Sequence, residues 1–209
     1  MIFTDRIDEI KKEVERRVGN EKRFTHIMGV TAECEKLARL YSLDEADTRR
    51  TIIAGLLHDI TKTMPDDKHE PLMLELGESL DEETKKCPKT MHQVTGAYLA
   101  RALYPDEVDD SVFNAVRYHT TGRAGMSLIE KLVYLADYIE ANRRHEECVA
   151  IRNLFYGMVA ANGADIHRVI DDVIFKSLDD SVKQMREDGR YIHNETLSAY
   201  DYFKEITNR

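Results

Sequence analysis

The sequence predicts an all-α fold, a single-domain helical bundle. Apolar residues recur at steps of three and four along almost every segment. No segment sustains the period-two alternation of a half-buried strand, and only four prolines interrupt 209 residues. Asp5 to Val18 reads as a charged amphipathic helix with Ile7, Ile10 and Val14 at helical spacing, stopped by Gly19-Asn20. Arg23 to Tyr41 follows, its inner face marked by Ile27, Val30, Cys34, Leu37 and Tyr41. Asp44 is the N-cap of a helix expected to run to about Lys62, with Ile52, Ile53, Leu56, Leu57 and Ile60 as its stripe. Thr63 to Pro88 contains Pro65, Pro71 and Pro88 and reads as loops around one short helix near Glu70 to Leu76.

Thr90 to Leu103 is helical again until Tyr104-Pro105 breaks it, and Asp109 to His119 forms the next helix. Thr120 to Gly125 is a loop, and Ser127 caps a helix through about Ala141. Glu147 to Asp188 reads as two helices broken near Asn162-Gly163, and the turn Asp188-Gly189 precedes a tail helix after Asn194. Without an internal repeat, low-complexity tract or linker, one domain over residues 1–209 is the simplest organisation. Its core spans about 20–145, and C-terminal helices over about 147–209 pack on it.

Hydrophobic residues make up 42% and charged residues 33%, the mix of a soluble globular chain. The net charge is −9, from 30 basic and 39 acidic side chains, which offers no broad basic footprint for nucleic acid. An anionic substrate then needs local cations, from metal ions or a few placed Lys and Arg. The cysteines Cys34, Cys87 and Cys148 are odd in number and far apart, which indicates neither a disulfide framework nor a CxxC zinc site. The N-terminal MIFTDRIDEIKKEVERR has no apolar signal region and no stretch approaches a membrane span, so a cytoplasmic location without a membrane partner is expected.

The chemistry centres on the adjacent His58-Asp59 in AGLLHDITK. On a continuous helix His58 lies opposite the Ile/Leu stripe beside Ala54, Asp59 lies at the stripe's edge beside Gly55, and Lys62 falls between them. Imidazole and carboxylate suit Fe, Mn, Co or Zn. Taken alone, such a dipeptide is more often a half-exposed surface pair. His26 taken alone is more often a satisfied core histidine. His92, with Gly96 one turn on, faces inward; His119 ends a helix before the TTGR loop; Asp137 sits at the edge of an apolar stripe, where burial unpaired is costly. Inward His or Asp on five separate helices outweighs each bland reading.

The order His26, His58-Asp59, Asp137 resembles the H…HD…D signature of the HD phosphohydrolase superfamily, and the additional His92 and His119 resemble its two-metal branch. RFTHIMGV, AGLLHDITK, HQVTGAYLA, AVRYHTTGRAGMSLIEKLVYLADYIEANR and the tail YIHNETLSAY are together similar to the YqeK-type symmetrical diadenosine tetraphosphate hydrolases of bacteria, over about residues 20–203. Ala141 departs from the family, which often has proline there. The resemblance implies an HD-domain bundle in which His26, His58, Asp59 and Asp137 hold a first metal and His92 and His119 a second, with Asp59 bridging. It suggests a di-iron centre; the ligand set by itself also fits manganese or cobalt.

The implied reaction cuts a symmetrical dinucleoside tetraphosphate between its central phosphates into two nucleoside diphosphates, with a hydroxide bridging the two metals as nucleophile. Asp59 and Lys62 are the expected catalytic side chains, and Lys62 is also placed to contact phosphate. Arg23, Arg123 and Arg143 are further phosphate candidates, and Thr120, Thr121 and Gly122 are expected to offer hydroxyls and backbone N–H groups to an anion. The alternatives are an HD nucleotide phosphohydrolase or phosphomonoesterase of other specificity, and a non-catalytic nucleotide-sensing HD module; a homodimer is compatible with either. His69, His145 and His167 sit in polar sequence surroundings and receive no role, His193 is read as structural, and Tyr191, Tyr200 and Tyr202 are expected to pack the tail onto the body.

Overall fold

The computed structural model describes residues 2–161 and 165–208, and among them it contains eleven α-helices and no strand. They are α1 (Ile2–Val18), α2 (Glu21–Leu40), α3 (Glu45–Leu57), α4 (Asp66–Glu75), α5 (Glu82–Lys86), α6 (Met91–Leu103), α7 (Asp110–Arg117), α8 (Leu128–Ile139), α9 (Glu146–Ala161), α10 (Ile166–Glu187) and α11 (Asn194–Thr207). A single 3-10 turn, Pro88–Thr90, leads into α6. The expected break near Asn162-Gly163 lies outside the described residues.

Local chemistry sets the helix starts. Asn20, Asp44 and Asp109 each accept the backbone N–H of the third residue of the helix that follows. Ser127 and Glu130 form a reciprocal capping box on α8. Each such cap stabilises its helix by about 1 kcal/mol. The apolar faces then bury against one another: α2 packs on α3 and α8, α3 on α7 and α8, and α6 on α7, while α10 joins α11, α9 and α8. The common core comes from Ile27, Val30, Cys34 and Leu37 of α2, Ile53, Leu56 and Leu57 of α3, Val112 and Val116 of α7, and Leu132, Leu135 and Ile139 of α8. Gly55 permits the close approach of α2 to α3, because a Cβ there would lie 2.9 Å from Cys34 Sγ.

Several expectations need correction. The helix expected to reach Lys62 ends at Leu57, and the chain continues in tight turns with Ile60 N–H on Leu57 O, Lys62 N–H on Asp59 O and Met64 N–H on Thr61 O. The short helix expected near Glu70 begins earlier, at Asp66, and contains Pro71; the Asp67 carbonyl that Pro71 leaves without its helical donor is on an exposed residue. α5 has no counterpart in the sequence reading, being one capped turn on Asp81. α7 ends at Arg117, two residues before His119. In the tail, Tyr202 is 36% exposed, and the buried face of α11 comes from Thr196, Ala199 and Phe203. Tyr191 reaches Glu83 of α5, and Tyr200 meets the Phe175 ring.

Gly55→Ala is expected to destabilise the fold by about 1–3 kcal/mol through overpacking, seen as a lowered Tm. Adding Cys34→Ala to the same chain should recover part of the loss, and independent, additive effects would show that the two side chains do not meet.

Candidate metal centre

Five elements deliver the six expected ligand residues to one place. His26 comes from α2, His58 and Asp59 from the turn after α3, His92 from the first turn of α6, His119 from the turn after α7, and Asp137 from the last turn of α8. His58, Asp59, His92 and His119 are buried, while His26 and Asp137 are half-buried. α3 ends at Leu57, and the tight turn that follows carries both His58 and Asp59, each of them buried.

Asp59 sits between two groups. Its Oδ2 lies 3.5 Å from His58 Nε2 and 3.7 Å from His26 Nε2. Its Oδ1 lies 3.4 Å from His92 Nε2 and 3.7 Å from His119 Nε2. Asp137 Oδ1 stands 3.0 Å from His26 Nε2 and 3.9 Å from His58 Nε2. Three overlapping sets of potential ligand atoms result: His26, His58 and Asp59; His58, His119 and Asp137; Asp59, His92 and His119. Within each set the atoms lie within 4.8 Å of one another.

The outer nitrogens explain the orientation of the rings. Nδ1 of His58 donates to Gly55 O at 2.8 Å, Nδ1 of His119 to Val116 O at 2.7 Å, and Nδ1 of His26 to Glu140 Oε1 at 3.1 Å. Each bond assigns the proton to Nδ1 and leaves a lone pair on Nε2, directed at the cluster. The Nε2 atoms of His26 and His58 are buried and make no hydrogen bond. A lone pair facing a carboxylate oxygen at 3.0 Å calls for a cation between them, so the donor set fits a metal. His92 has a different setting: its ring nitrogens face Lys62 Nζ at 3.1 and 3.3 Å, and its Nε2 faces His119 Nε2 at 3.1 Å.

The electrostatics agree with this arrangement. Burial pushes the Asp59 carboxyl up, but His58, His119 and His92 outweigh it and hold Asp59 well below the usual carboxylate range. Burial likewise raises Asp137, and His26, Arg143 and His58 more than reverse it. Burial, reinforced by Lys62 and His119, drives His92 well below the usual imidazole range, and burial lowers His119 too, so both are neutral donors near pH 7. Burial pulls His26 down, but Asp137 and Glu140 outweigh it, so its surroundings favour positive charge. Burial lowers the Lys62 ammonium from its usual value, with Asp59 and Asp137 holding it up in part.

Glu140 is the main functional residue absent from the sequence reading. It is 1% exposed, orients His26 and accepts the Asn142 N–H at 2.6 Å. Gly29 makes room for it, since a Cβ there would collide with its carboxylate. The signal was its position three residues after Asp137, just past the end of α8. His69 also needs correction: it is buried, with Nδ1 2.8 Å from Thr95 Oγ1, and Thr95 meets Thr61, which donates to His92 O.

The expected substrate contacts divide. Lys62 stands beside His92, Arg23 pairs with Asp59 Oδ2 at 2.7 Å, and Arg143 pairs with Asp137 Oδ1 at 2.5 Å. Thr120 Oγ1 lies 3.1 Å from His92 Nε2. The backbone N–H groups of the TTGR loop, however, point inward: those of Thr120 and Thr121 donate to Gln93 Oε1, and that of Gly122 to Tyr118 O. Thr121 is buried with its hydroxyl on Glu195, so neither it nor Gly122 offers the expected anion contact. Arg123 is held bidentately by buried Glu130, at 2.6 and 3.0 Å, and lies over the Tyr118 ring. It secures the loop and lines neither cleft described next.

Two clefts flank the cluster and share Lys62 and Arg143. One, of about 880 Å³, includes Arg23, His26, Glu140, Arg144 and His145 in its wall. The other, of about 500 Å³, includes Thr120, Asp137, Tyr138, Leu178, Met185 and His193.

The HD domain family profile matches residues 23–142, more than half of the chain and the whole of the cluster. The chain belongs to the HD domain family. Along most of its length it is also similar to proteins named symmetrical bis(5'-nucleosyl)-tetraphosphatase. It is 32% identical to that of Halalkalibacterium halodurans over 183 residues, covering 87% of this chain and 88% of the relative. It is 35% identical to that of Bacillus subtilis over 135 residues, covering 64% and 69%. A crystal structure of a predicted HD superfamily hydrolase involved in NAD metabolism, from Clostridium acetobutylicum, superposes with a TM-score of 0.78 at 30% identity, covering 95% of this chain and 97% of that one.

Because Glu140 fixes the His26 ring, Glu140→Ala is expected to weaken metal binding about ten- to a hundredfold. Competition with a chelator measures this, and wild-type affinity would mean that His26 needs no such partner.

Proposed function

We propose that the chain is a metal-dependent hydrolase that cleaves symmetrical dinucleoside tetraphosphates, such as diadenosine tetraphosphate, into two nucleoside diphosphates. The observation that carries this is Asp59, buried with one oxygen toward His26 and His58 and the other toward His92 and His119. In this reading His26, His58, Asp59 and Asp137 hold one ion and His92 and His119 hold a second, with Asp59 shared. Iron is the proposed metal, and manganese or cobalt suit the same donors. Once bound, the pair supplies Lewis-acid charge stabilisation and an activated water.

The protein's own side chains do the positioning. Phosphoryl transfer depends on alignment and on cations placed where charge develops, and needs no nucleophilic side chain. Lys62 and Arg143 stand where the two clefts meet, which suits the central phosphates of a substrate with two equal halves. Arg23 and Arg143 each hold a carboxylate with one N–H and keep further donors for phosphate oxygens. Thr120 adds a hydroxyl at the cluster's edge. The names of the relatives support the substrate class, and the local cations meet the requirement set by an acidic chain.

The test is hydrolysis of diadenosine tetraphosphate beside mononucleotides, with metal analysis of the same protein. ADP as sole product and loss of activity on chelation, restored by Fe(II) or Mn(II), are expected. A strong preference for mononucleotides would reject the substrate. Asp59→Ala is expected to lose bound metal and lower kcat/KM at least about a thousandfold; surviving activity would remove the shared carboxylate. Lys62→Ala is expected to lower kcat about a hundredfold or more with metal content kept, and an unchanged kcat would place Lys62 outside the reaction.

A further inference from the structure

We propose that the cleft formed with α10 and α11 seats one nucleoside half of the substrate, and that His193 is its specificity-determining hydrogen-bond donor. The inference rests on the nucleotide reading above and deepens it.

His193 has a distinct hydrogen-bonding pattern. It is 4% exposed and caps α11, its Nδ1 accepting the Glu195 N–H at 3.2 Å. A neutral imidazole that accepts at Nδ1 carries its proton on Nε2. That Nε2 is buried and has no hydrogen-bond partner. His58 and His119 have the opposite tautomer, with Nδ1 on a carbonyl and a lone pair on Nε2. Their chemistry calls for a metal; that of His193 calls for an acceptor atom.

The surroundings hold the ring in this state. Glu83 of α5 accepts the Asn194 N–H at 2.8 Å and the Tyr191 hydroxyl at 2.6 Å, one on each side of His193 in sequence. Glu195 is gripped by Arg117 at 2.8 and 3.1 Å and by the Thr121 hydroxyl at 2.9 Å. A buried N–H left unpaired costs about 1–3 kcal/mol, and three separate elements keep it in place.

The cleft that His193 lines has the features of a nucleotide seat. Lys62 and Arg143 stand at its junction with the other cleft, Tyr138, Leu178 and Met185 give it an apolar and aromatic wall, and Lys86, Lys89 and Arg190 add positive charge. A volume of about 500 Å³ suits a ligand of this size. A nucleoside phosphate has an anionic end, a flat apolar ring and polar ring edges, and the cleft offers cations, an apolar wall and one buried directional donor. The other cleft is lined by polar and charged side chains without an aliphatic or phenyl group. Recognition of the nucleoside then falls on the tail, outside residues 23–142 of the HD match, while the proposed metal ligands lie within it.

Two substitutions separate capping from recognition. His193→Asn keeps an acceptor near the Nδ1 position, and asparagine is a good N-cap, but the Nε2 donor is lost. His193→Gln keeps a donor near Nε2 and weakens the cap. With metal-loaded protein and ADP as the probe in calorimetry, His193→Asn is expected to retain the wild-type Tm and metal content. Its ADP Kd and its KM for diadenosine tetraphosphate should rise about tenfold or more, the loss of one directed hydrogen bond. His193→Gln should lower Tm and keep most of the ADP affinity. Met185→Glu, on a half-buried wall position, should weaken ADP at least as much. Wild-type ADP affinity in both His193→Asn and Met185→Glu would overturn the assignment. A wild-type protein that neither binds ADP nor cleaves diadenosine tetraphosphate would instead reject the nucleotide reading itself.

Discussion

The burial of Asp59 is the constraint around which the site is organised. A carboxylate at 2% exposure is tolerated only with compensating charge and hydrogen bonds. The structure surrounds it with four imidazoles and the Arg23 guanidinium, drawn from α2, α6 and the turns after α3 and α7. Asp137 repeats the logic with His26 and Arg143. Because the compensating groups come from separate helices, the site forms only when the bundle closes. The same closure keeps water away and strengthens each of these interactions.

A second layer makes the first one specific. Gly55 O, Val116 O and Glu140 select the tautomers of His58, His119 and His26 and turn their lone pairs inward. Gln93 has the corresponding role for the TTGR loop, gathering the N–H groups of Thr120 and Thr121. Those loop amides are thereby turned into the protein, while Lys62, Arg23 and Arg143 stand as cations beside the cluster. Two clefts share Lys62 and Arg143, one lined by polar and charged side chains and one with an added apolar and aromatic wall, so a protein of net charge −9 keeps cations beside the cluster.

Much of this was legible in the amino-acid order. Helix starts were readable because caps such as Asp44, Asp109 and Ser127 act within three residues. The six cluster residues were readable because His and Asp at inward positions on several helices conflict with plain core packing. The end of α3 was not readable: residues 58–62 have helix-compatible types, and the tight turns that replace the helix are held partly by Thr61 bonding to His92 O across the site. Arg123 and Thr121 misled for a related reason, since their partners Glu130 and Glu195 decide whether they face a ligand or the protein.

The sequence by itself determined the helices, their inward faces and the chemical types available at the centre, because periodicity and capping are local properties of the chain. Tertiary structure alone decided that the six side chains meet and that Glu140 orients His26. It also set which cations stand beside the cluster and that tail residues such as His193 line one of its clefts. The meeting of the six side chains and the His26–Glu140 bond depend on partners tens of residues away in the chain, and only the packed bundle brings such partners together.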